Sequence, residues 1–379
     1  MRNIEAFTVE FGDAAIADLR DRLRRTRWPE RETVTDWSQG VPLAYVQEIC
    51  NYWADEYDFD AAQQRLNAHP NYCAEVDGLD IHFVHVRSRH ADAIPLVLSH
   101  GWPGSFVEFL GVVDALVDPP DPVDAFDVVV PSLPGYGFSG RPTETGWDVT
   151  RIARAFDELM SELGYDRYAA QGGDWGAMVT HELAQRHSDR VVAIHTNMPF
   201  VPFDAMDTTN MTADEQAGLD SMDRHRKTGR GYSEQQSTRP QTLGYGLTDS
   251  PAGQCAWIVE KFWAWTDCDG HPEHALTKDQ MLDNICVYWF GATGASSARL
   301  YWESLRQANR APVTVPTGIS NFPKEIFPIS RRWAETRYLD LRYFNRLDKG
   351  GHFAAFEQPA LFVDELRSFF RLLRSEGRR

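Results

Sequence analysis

Gly172-Gly173-Asp174-Trp175-Gly176 is the stretch that decides how this chain is read. It follows a short apolar run, Tyr168-Ala169-Ala170, and precedes an amphipathic segment at 177–186. Strand, abrupt turn and helix, with small residues around one polar side chain, is the setting of a nucleophile elbow. The usual occupant is Ser, but here it is Asp. In isolation an Asp among glycines is better explained as a turn residue. The rest of the chain must therefore supply its partners.

Outward from the elbow, strands alternate with helices. Residues 94–99 and 126–130 are continuous apolar runs of the buried-strand type. Residues 74–77 and 81–87 flank Asp77-Gly78-Leu79-Asp80, a hairpin signal. A helix at 149–163, a strand at 168–171, the helix at 177–186 and a strand at 191–196 follow. This alternation implies an α/β domain with a mostly parallel sheet and right-handed crossovers. The rhythm stops after Asn197, where loops and helices (253–265, 278–290, 296–305) take over. Strand-type sequence returns at 313–316 and 340–347, and an amphipathic helix spans 359–373. Upstream, a helical segment runs to 117 from the loop after residue 99, and residues 1 to about 70 read as helical, at 14–25 and 41–57. The expected organisation is an N-terminal helical extension (1–72), a first core part (73–197), an inserted helical cap (198–308) and a second core part (309–379).

Composition narrows the function classes. With 379 residues, 42% of them hydrophobic, 12 Trp and 21 Phe, a sizeable core is within reach. No apolar run approaches the roughly 18 residues of a membrane span, and the first residues lack a signal peptide's apolar stretch. A cytoplasmic protein without a membrane partner is expected. A formal charge of -17 argues against nucleic acid, because the basic stretch at 20–31 is interleaved with acids. Five cysteines without a C-x-x-C pair read as reduced thiols, and Cys268-Asp-Gly-His271 lacks the second pair a metal site needs. Gly135-Tyr-Gly-Phe-Ser-Gly140 fits G-x-G-x-x-G, but Pro131, Pro134 and Pro142 prevent the helix that dinucleotide binding requires. Neither cofactor nor metal is expected. Oligomeric state is unreadable, and a homo-oligomer is compatible with the sequence.

Three features give Asp174 its partners. The loop His100-Gly101-Trp102-Pro103 follows an earlier apolar strand and offers a backbone N–H beside that of Trp175, a pair suited to an oxyanion hole. Gly350-Gly351-His352 follows a late strand, where a base belongs in the order nucleophile, acid, base. Glu325 lies between them, with Glu335 and Asp348 as nearby alternatives.

Taken together, these blocks resemble the microsomal-type epoxide hydrolases of the α/β-hydrolase superfamily over nearly the whole chain. The resemblance is carried by residues 7–29, His100-Gly-Trp-Pro-Gly-Ser105, the elbow, Asp249-Ser-Pro-Ala-Gly253, Asn321-Phe-Pro-Lys-Glu325 and Gly350-Gly-His-Phe-Ala-Ala-Phe-Glu357. It implies an α/β-hydrolase fold with a helical cap, Asp174 as nucleophile, His352 as base and Glu325 as the acid orienting it. Trp102 and Trp175 would supply the oxyanion-hole amides. It also implies two cap tyrosines that protonate the epoxide oxygen, Tyr301 and, in what reads as a loop, Tyr232. The microsomal members carry a membrane anchor without a counterpart here, so a soluble member is expected.

The residue type agrees with that chemistry. A carboxylate attacking an ester would form an anhydride, whereas attack on saturated carbon suits it when the leaving oxygen is protonated. An epoxide with an aromatic or large apolar substituent, in detoxification or secondary metabolism, is the expected small-molecule substrate, with water as co-substrate. The alternatives are a haloalkane dehalogenase, in which both tyrosines would be idle, and a non-catalytic relative that binds a small ligand.

Overall fold

The computed structural model describes residues 4–305 and 309–376; the expected boundaries at 1, 308 and 379 lie outside the described residues. Strands β1 (Ile4–Phe7), β2 (Asn71–Val76), β3 (Leu79–Val86), β4 (Ile94–Ser99), β5 (Phe126–Pro131), β6 (Tyr168–Gly172), β7 (Val191–Thr196), β8 (Thr317–Asn321) and β9 (Leu341–Arg346) form one sheet. Its order is β1-β2-β3-β5-β4-β6-β7-β8-β9. The β1–β2, β2–β3 and β3–β5 pairs are antiparallel and the others parallel. The central strands β4 and β5 are mostly buried, which is why they read as apolar runs. The hairpin forms where Asp77 and Gly78 both take positive φ, the conformation a two-residue turn demands.

Strand order sets the position of the site. From β4 the chain moves to β5 on one side and returns to β6 on the other. The carboxyl ends of β4 and β6 therefore adjoin, with Ser99 paired to Gly172. Such a switch point opens a crevice at the ends of the strands. The loop after β4 and the elbow after β6 meet there.

Three expectations about elements are corrected. The first seventy residues are not all helical, since Ile4–Phe7 is an edge strand with Ile4 opposite Ala74. Four residues are too few to show alternation, and the hydrogen bonds come from a distant partner. Instead of a strand at 313–316, Val313 makes only an isolated bridge to Tyr338, and β8 begins after Pro316. Proline has no N–H for a ladder, so pairing starts beyond it. The helical segment reaching 117 splits into Val107–Leu110 and Val113–Val117 around Gly111.

Between β7 and β8 lie the helices Ala213–Arg224, Gly231–Thr238, Pro240–Asp249, Pro251–Trp265, Lys278–Phe290 and Gly294–Ser304. Lys278–Phe290 joins two parts of the molecule. On one side its Asp283 accepts from Tyr57 Oη (2.6 Å) and from Arg65 Nε and Nη2 (2.7 Å each). On the other, Asn284 Nδ2 donates to the Pro103 carbonyl (2.8 Å) and Tyr288 Oη to that of Gly104 (2.8 Å). The N-terminal helices thus fix Lys278–Phe290, which in turn fixes the loop after β4.

Candidate active site

Asp174 has φ +50°, a left-handed conformation costing a non-glycine residue about 1–2 kcal/mol. The turn is tight on both sides. A β-carbon on Gly176 would strike the Ser99 carbonyl, and one on Gly172 would strike that of Gly176. The helix Asp174–Arg186 starts at the aspartate itself, three residues before the amphipathic pattern begins, because Gly and Asp carry no apolar signal. Asp174 Oδ1 accepts the Trp102 N–H at 2.8 Å, while Oδ2 lies 3.4 Å from His352 Nε2. The Trp175 N–H sits in the first helical turn, where no intrahelical acceptor exists.

His352 is held by backbone on several sides. Its N–H donates to the Trp265 carbonyl (2.9 Å), and Lys324 N–H donates to the Gly350 carbonyl (3.1 Å), tying the loop of Glu325 to that of His352. Glu357, in the quoted motif but given no role, accepts the N–H groups of Phe353 (3.0 Å) and Asp267 (2.8 Å). His352 Nδ1 and Glu325 Oε1 are 2.8 Å apart, and Glu325 is 2% exposed. Burial pulls the imidazole pKa down, but Glu325 and Asp174 outweigh it and hold the pKa well above its ordinary value. Of the alternative acids, Glu335 pairs instead with Arg331 (2.8 Å) and Asp348 is exposed.

Tyr301 lies in Gly294–Ser304 and Tyr232 in Gly231–Thr238, so the loop expected for Tyr232 is corrected to a helix. That helix is short and polar, burying only Tyr232, Gln236 and Ser237, and it leaves no apolar period to detect. The two rings meet edge to face at 5.8 Å. Trp102 stacks on Tyr232 (4.9 Å, 8°), and Trp175 meets Tyr301 edge-on (4.8 Å, 88°). Burial first, then the charge of Asp174, pushes the Tyr232 phenol well up; burial, Tyr232 and Asp174 do the same for Tyr301. Both remain protonated donors at neutral pH. The glycine-rich loop positions Tyr301's helix: Ser296 Oγ donates to the Gly135 carbonyl (2.6 Å) and Tyr136 Oη to that of Ser297 (3.0 Å).

Residues 4–109 match the family described as epoxide hydrolase N terminus, and 94–220 match the alpha/beta hydrolase fold. Epoxide hydrolase 1 of Oryctolagus cuniculus is 34% identical, over 98% of this chain and 89% of its own. A relative from Stigmatella aurantiaca, provisionally named an epoxide hydrolase, is 51% identical over 98% of this chain and 86% of its own. This chain belongs to the epoxide hydrolase family. Among solved members, juvenile hormone epoxide hydrolase from the silkworm Bombyx mori superimposes with a TM-score of 0.93 at 30% identity, covering 100% of this chain and 96% of that one. The Aspergillus niger enzyme gives 0.89 at 32%, covering 97% and 96%.

Sequence reasoning missed Lys261, Glu108 and Asn197. Lys261 is 3% exposed, pairs with Glu260 and sits 4.3 Å over the Tyr232 ring. Lysine is scarce in this chain, but scarcity alone gives no position. Asn197 Nδ2 donates to the His352 carbonyl (3.3 Å) from the end of β7, a contact only the sheet order creates. No helix among the described residues is long and apolar enough to cross a membrane.

Proposed function

We propose that this chain hydrolyses an epoxide bearing an aromatic or large apolar group to a vicinal diol, through an alkyl ester on Asp174. The observation carrying this reading is a carboxylate 3.4 Å from an imidazole and within the field of two buried, protonated phenols. In the first step a carboxylate oxygen of Asp174 attacks a ring carbon, the C–O bond breaks, and one of the phenols of Tyr232 and Tyr301 gives the departing oxygen its proton while the other hydrogen-bonds it. In the second, His352 takes a proton from water, which attacks the Asp174 carboxyl carbon. The bond from that carbon to the substrate oxygen then breaks, and the two water protons end on that oxygen and on the phenolate, restoring Asp174, His352 and the phenol. The amides of Trp102 and Trp175 stabilise the oxyanion, and Glu325 steadies the imidazolium.

Electrostatics favour that order. While Asp174 is ionised, it and Glu325 hold the pKa of His352 high. Esterification removes one of these two charges, so the imidazole pKa falls and the residue becomes a base as it is needed. The rings of Trp102, Trp175, Trp265 and the two phenols pack against one another beside Asp174, and an aromatic wall of this kind suits an apolar substituent. The cysteines Cys50, Cys73, Cys255, Cys268 and Cys286 are free thiols, which suits the cytoplasm, where we put the enzyme.

One turnover in heavy-oxygen water tests the reading. The first diol should carry no solvent label, its new oxygen coming from Asp174, and label in that first diol would exclude the ester. Chloride release from a haloalkane without turnover of a styrene-type epoxide would instead favour a dehalogenase.

A further inference from the structure

Lys261 stands one turn before Trp265 on the helix Pro251–Trp265, so the two side chains share a face. Its buried ammonium lies 4.3 Å from the centre of the Tyr232 ring and 5.3 Å from that of Trp265. The side chain of its ion-pair partner, Glu260, is 29% exposed, and water screens that charge. Burial lowers the pKa of Lys261, and Glu260 opposes the fall. A buried ammonium is a cost to folding, one that a methionine of nearly the same length avoids. His225, whose ring is 6.3 Å from that of Tyr232, is held at about 4 by burial first and then by Lys261, so it stays neutral. The rings around Tyr301 are those of Trp102, Trp175 and Tyr232, none of them a cation. The two phenols therefore differ in one respect, the ammonium over Tyr232.

We propose that Lys261 stabilises the negative charge left on Tyr232 when the epoxide opens, and so makes Tyr232 the phenol that gives up its proton. This rests on the ester reading above. Asp174 forms its bond to the ring carbon, and the electron pair of the broken C–O bond passes to oxygen. That oxygen takes the Tyr232 proton, the O–H pair stays on the phenolate, and Tyr301 keeps its proton and hydrogen-bonds the same oxygen. One negative charge thus moves from Asp174 to Tyr232, where the ammonium faces it. A cation over an aromatic face is attracted by the neutral ring, and more strongly by its anion, whose charge spreads into the ring. A hydrogen bond from Tyr301 also favours ionised Tyr232 against burial and the Asp174 charge, while burial and then Tyr232 oppose ionisation of Tyr301. In the second step the phenolate recovers a proton of the attacking water, and Lys261 keeps its own protons throughout. Lys261 acts through Tyr232 and touches no reacting atom, which makes it a positioning residue.

Lys261→Met tests this in a single turnover of a styrene-type epoxide, with Lys261→Arg as the variant that keeps the charge. Acid-quenched samples are weighed for the Asp174 adduct, which gives the rates of ester formation and ester hydrolysis separately. In Lys261→Met, ester formation should slow about 10–100-fold while ester hydrolysis stays within about threefold of wild type. Lys261→Arg should recover most of the lost rate. The thermal midpoint of Lys261→Met should equal or exceed that of wild type, since a buried charge is removed. In a Tyr232→Phe background the same substitution should cost less than about threefold, because no phenolate forms there, and in Tyr301→Phe it should keep its full effect. Equal losses in the wild-type and Tyr232→Phe backgrounds would overturn the proposal, as would ester formation at the wild-type rate in Lys261→Met. A lowered thermal midpoint with both phases slowed would also overturn it, since that marks a packing role. Absence of any adduct even in His352→Gln would instead sink the ester reading, and this proposal with it.

Discussion

Replacing His352 with Gln should turn the protein into a trap for its own ester. The first step uses Asp174, the Trp102 amide and the two phenols, none of which changes. The second loses its base, because an amide cannot accept the proton of water. General-base catalysis contributes about 10²–10⁴-fold, or about 2.7–5.4 kcal/mol of barrier. For an ordinary turnover near 10 s⁻¹, hydrolysis would fall to about 0.1–0.001 s⁻¹, so the ester would last from about 7 s to about 12 min. Gln is preferred to Ala because Glu325 is buried and 2.8 Å from the imidazole. Beside the Ile326 N–H (2.6 Å) the imidazole is the side-chain partner of that carboxylate, and removing such a partner from a buried charge costs about 3–5 kcal/mol of stability, whereas the Gln amide can still donate to it. The backbone contacts of the loop to Trp265 and Asn197 do not depend on the ring. After incubation with a styrene-type epoxide and acid quench, the peptide containing Asp174 should gain the mass of one substrate. No adduct, or steady diol release at the wild-type rate, would refute the scheme.

Asp174→Ala should form no adduct under the same conditions, and any substrate-derived mass on it would point to another nucleophile. Tyr301→Phe and Tyr232→Phe should each slow ester formation about 10–100-fold and leave ester hydrolysis nearly unchanged, since each removes a proton donor but keeps its ring; stopped-flow traces separate the phases. Glu325→Gln should lower the basicity of His352, so the acid limb of the hydrolysis rate moves to lower pH; an unshifted limb would count against its role. Acid should also destabilise the protein. Burial lowers the pKa of His82, His85, His100, His181, His195 and His225, so the unfolded chain binds more protons below about pH 6.5. Glu108 and Glu357, raised by burial, pull the other way between about pH 4.5 and their folded values, but they are outnumbered. Denaturant midpoints should therefore fall between pH 6.5 and 4.5, and a flat profile would contradict this account.

The parts legible in the sequence were those encoded by local, one-sided burial or by motif order. The apolar runs of β4 and β5 and the helix Lys278–Phe290 declare themselves, because a residue's face in a strand or helix repeats with the period of that element. The edge strand β1, the start of β8 and the helix carrying Tyr232 were hidden, because each depends on partners supplied from elsewhere. Lys261 and Glu108 were invisible as site residues for the same reason. A buried cation over a ring and a carboxylate lining the same small space as Asp174 and His352 are products of packing.

The opening motif shows where this division falls. By itself the sequence placed a carboxylate on a glycine-flanked turn between a strand and a helix, with an acid and a histidine following in order. It left a turn residue as the better local explanation, since nothing within five residues distinguishes a turn from a nucleophile. Tertiary structure supplies the partners that the nucleophile reading needs. Because β4 and β6 are neighbours at the switch point, Ser99 pairs with Gly172, and the Trp102 amide comes within 2.8 Å of Asp174. Because the acid and base loops are tied together beyond β8 and β9, His352 stands 3.4 Å away on the other oxygen. Side-chain periodicity records which face is buried, but only the order of strands in the sheet determines which loops share one end of it.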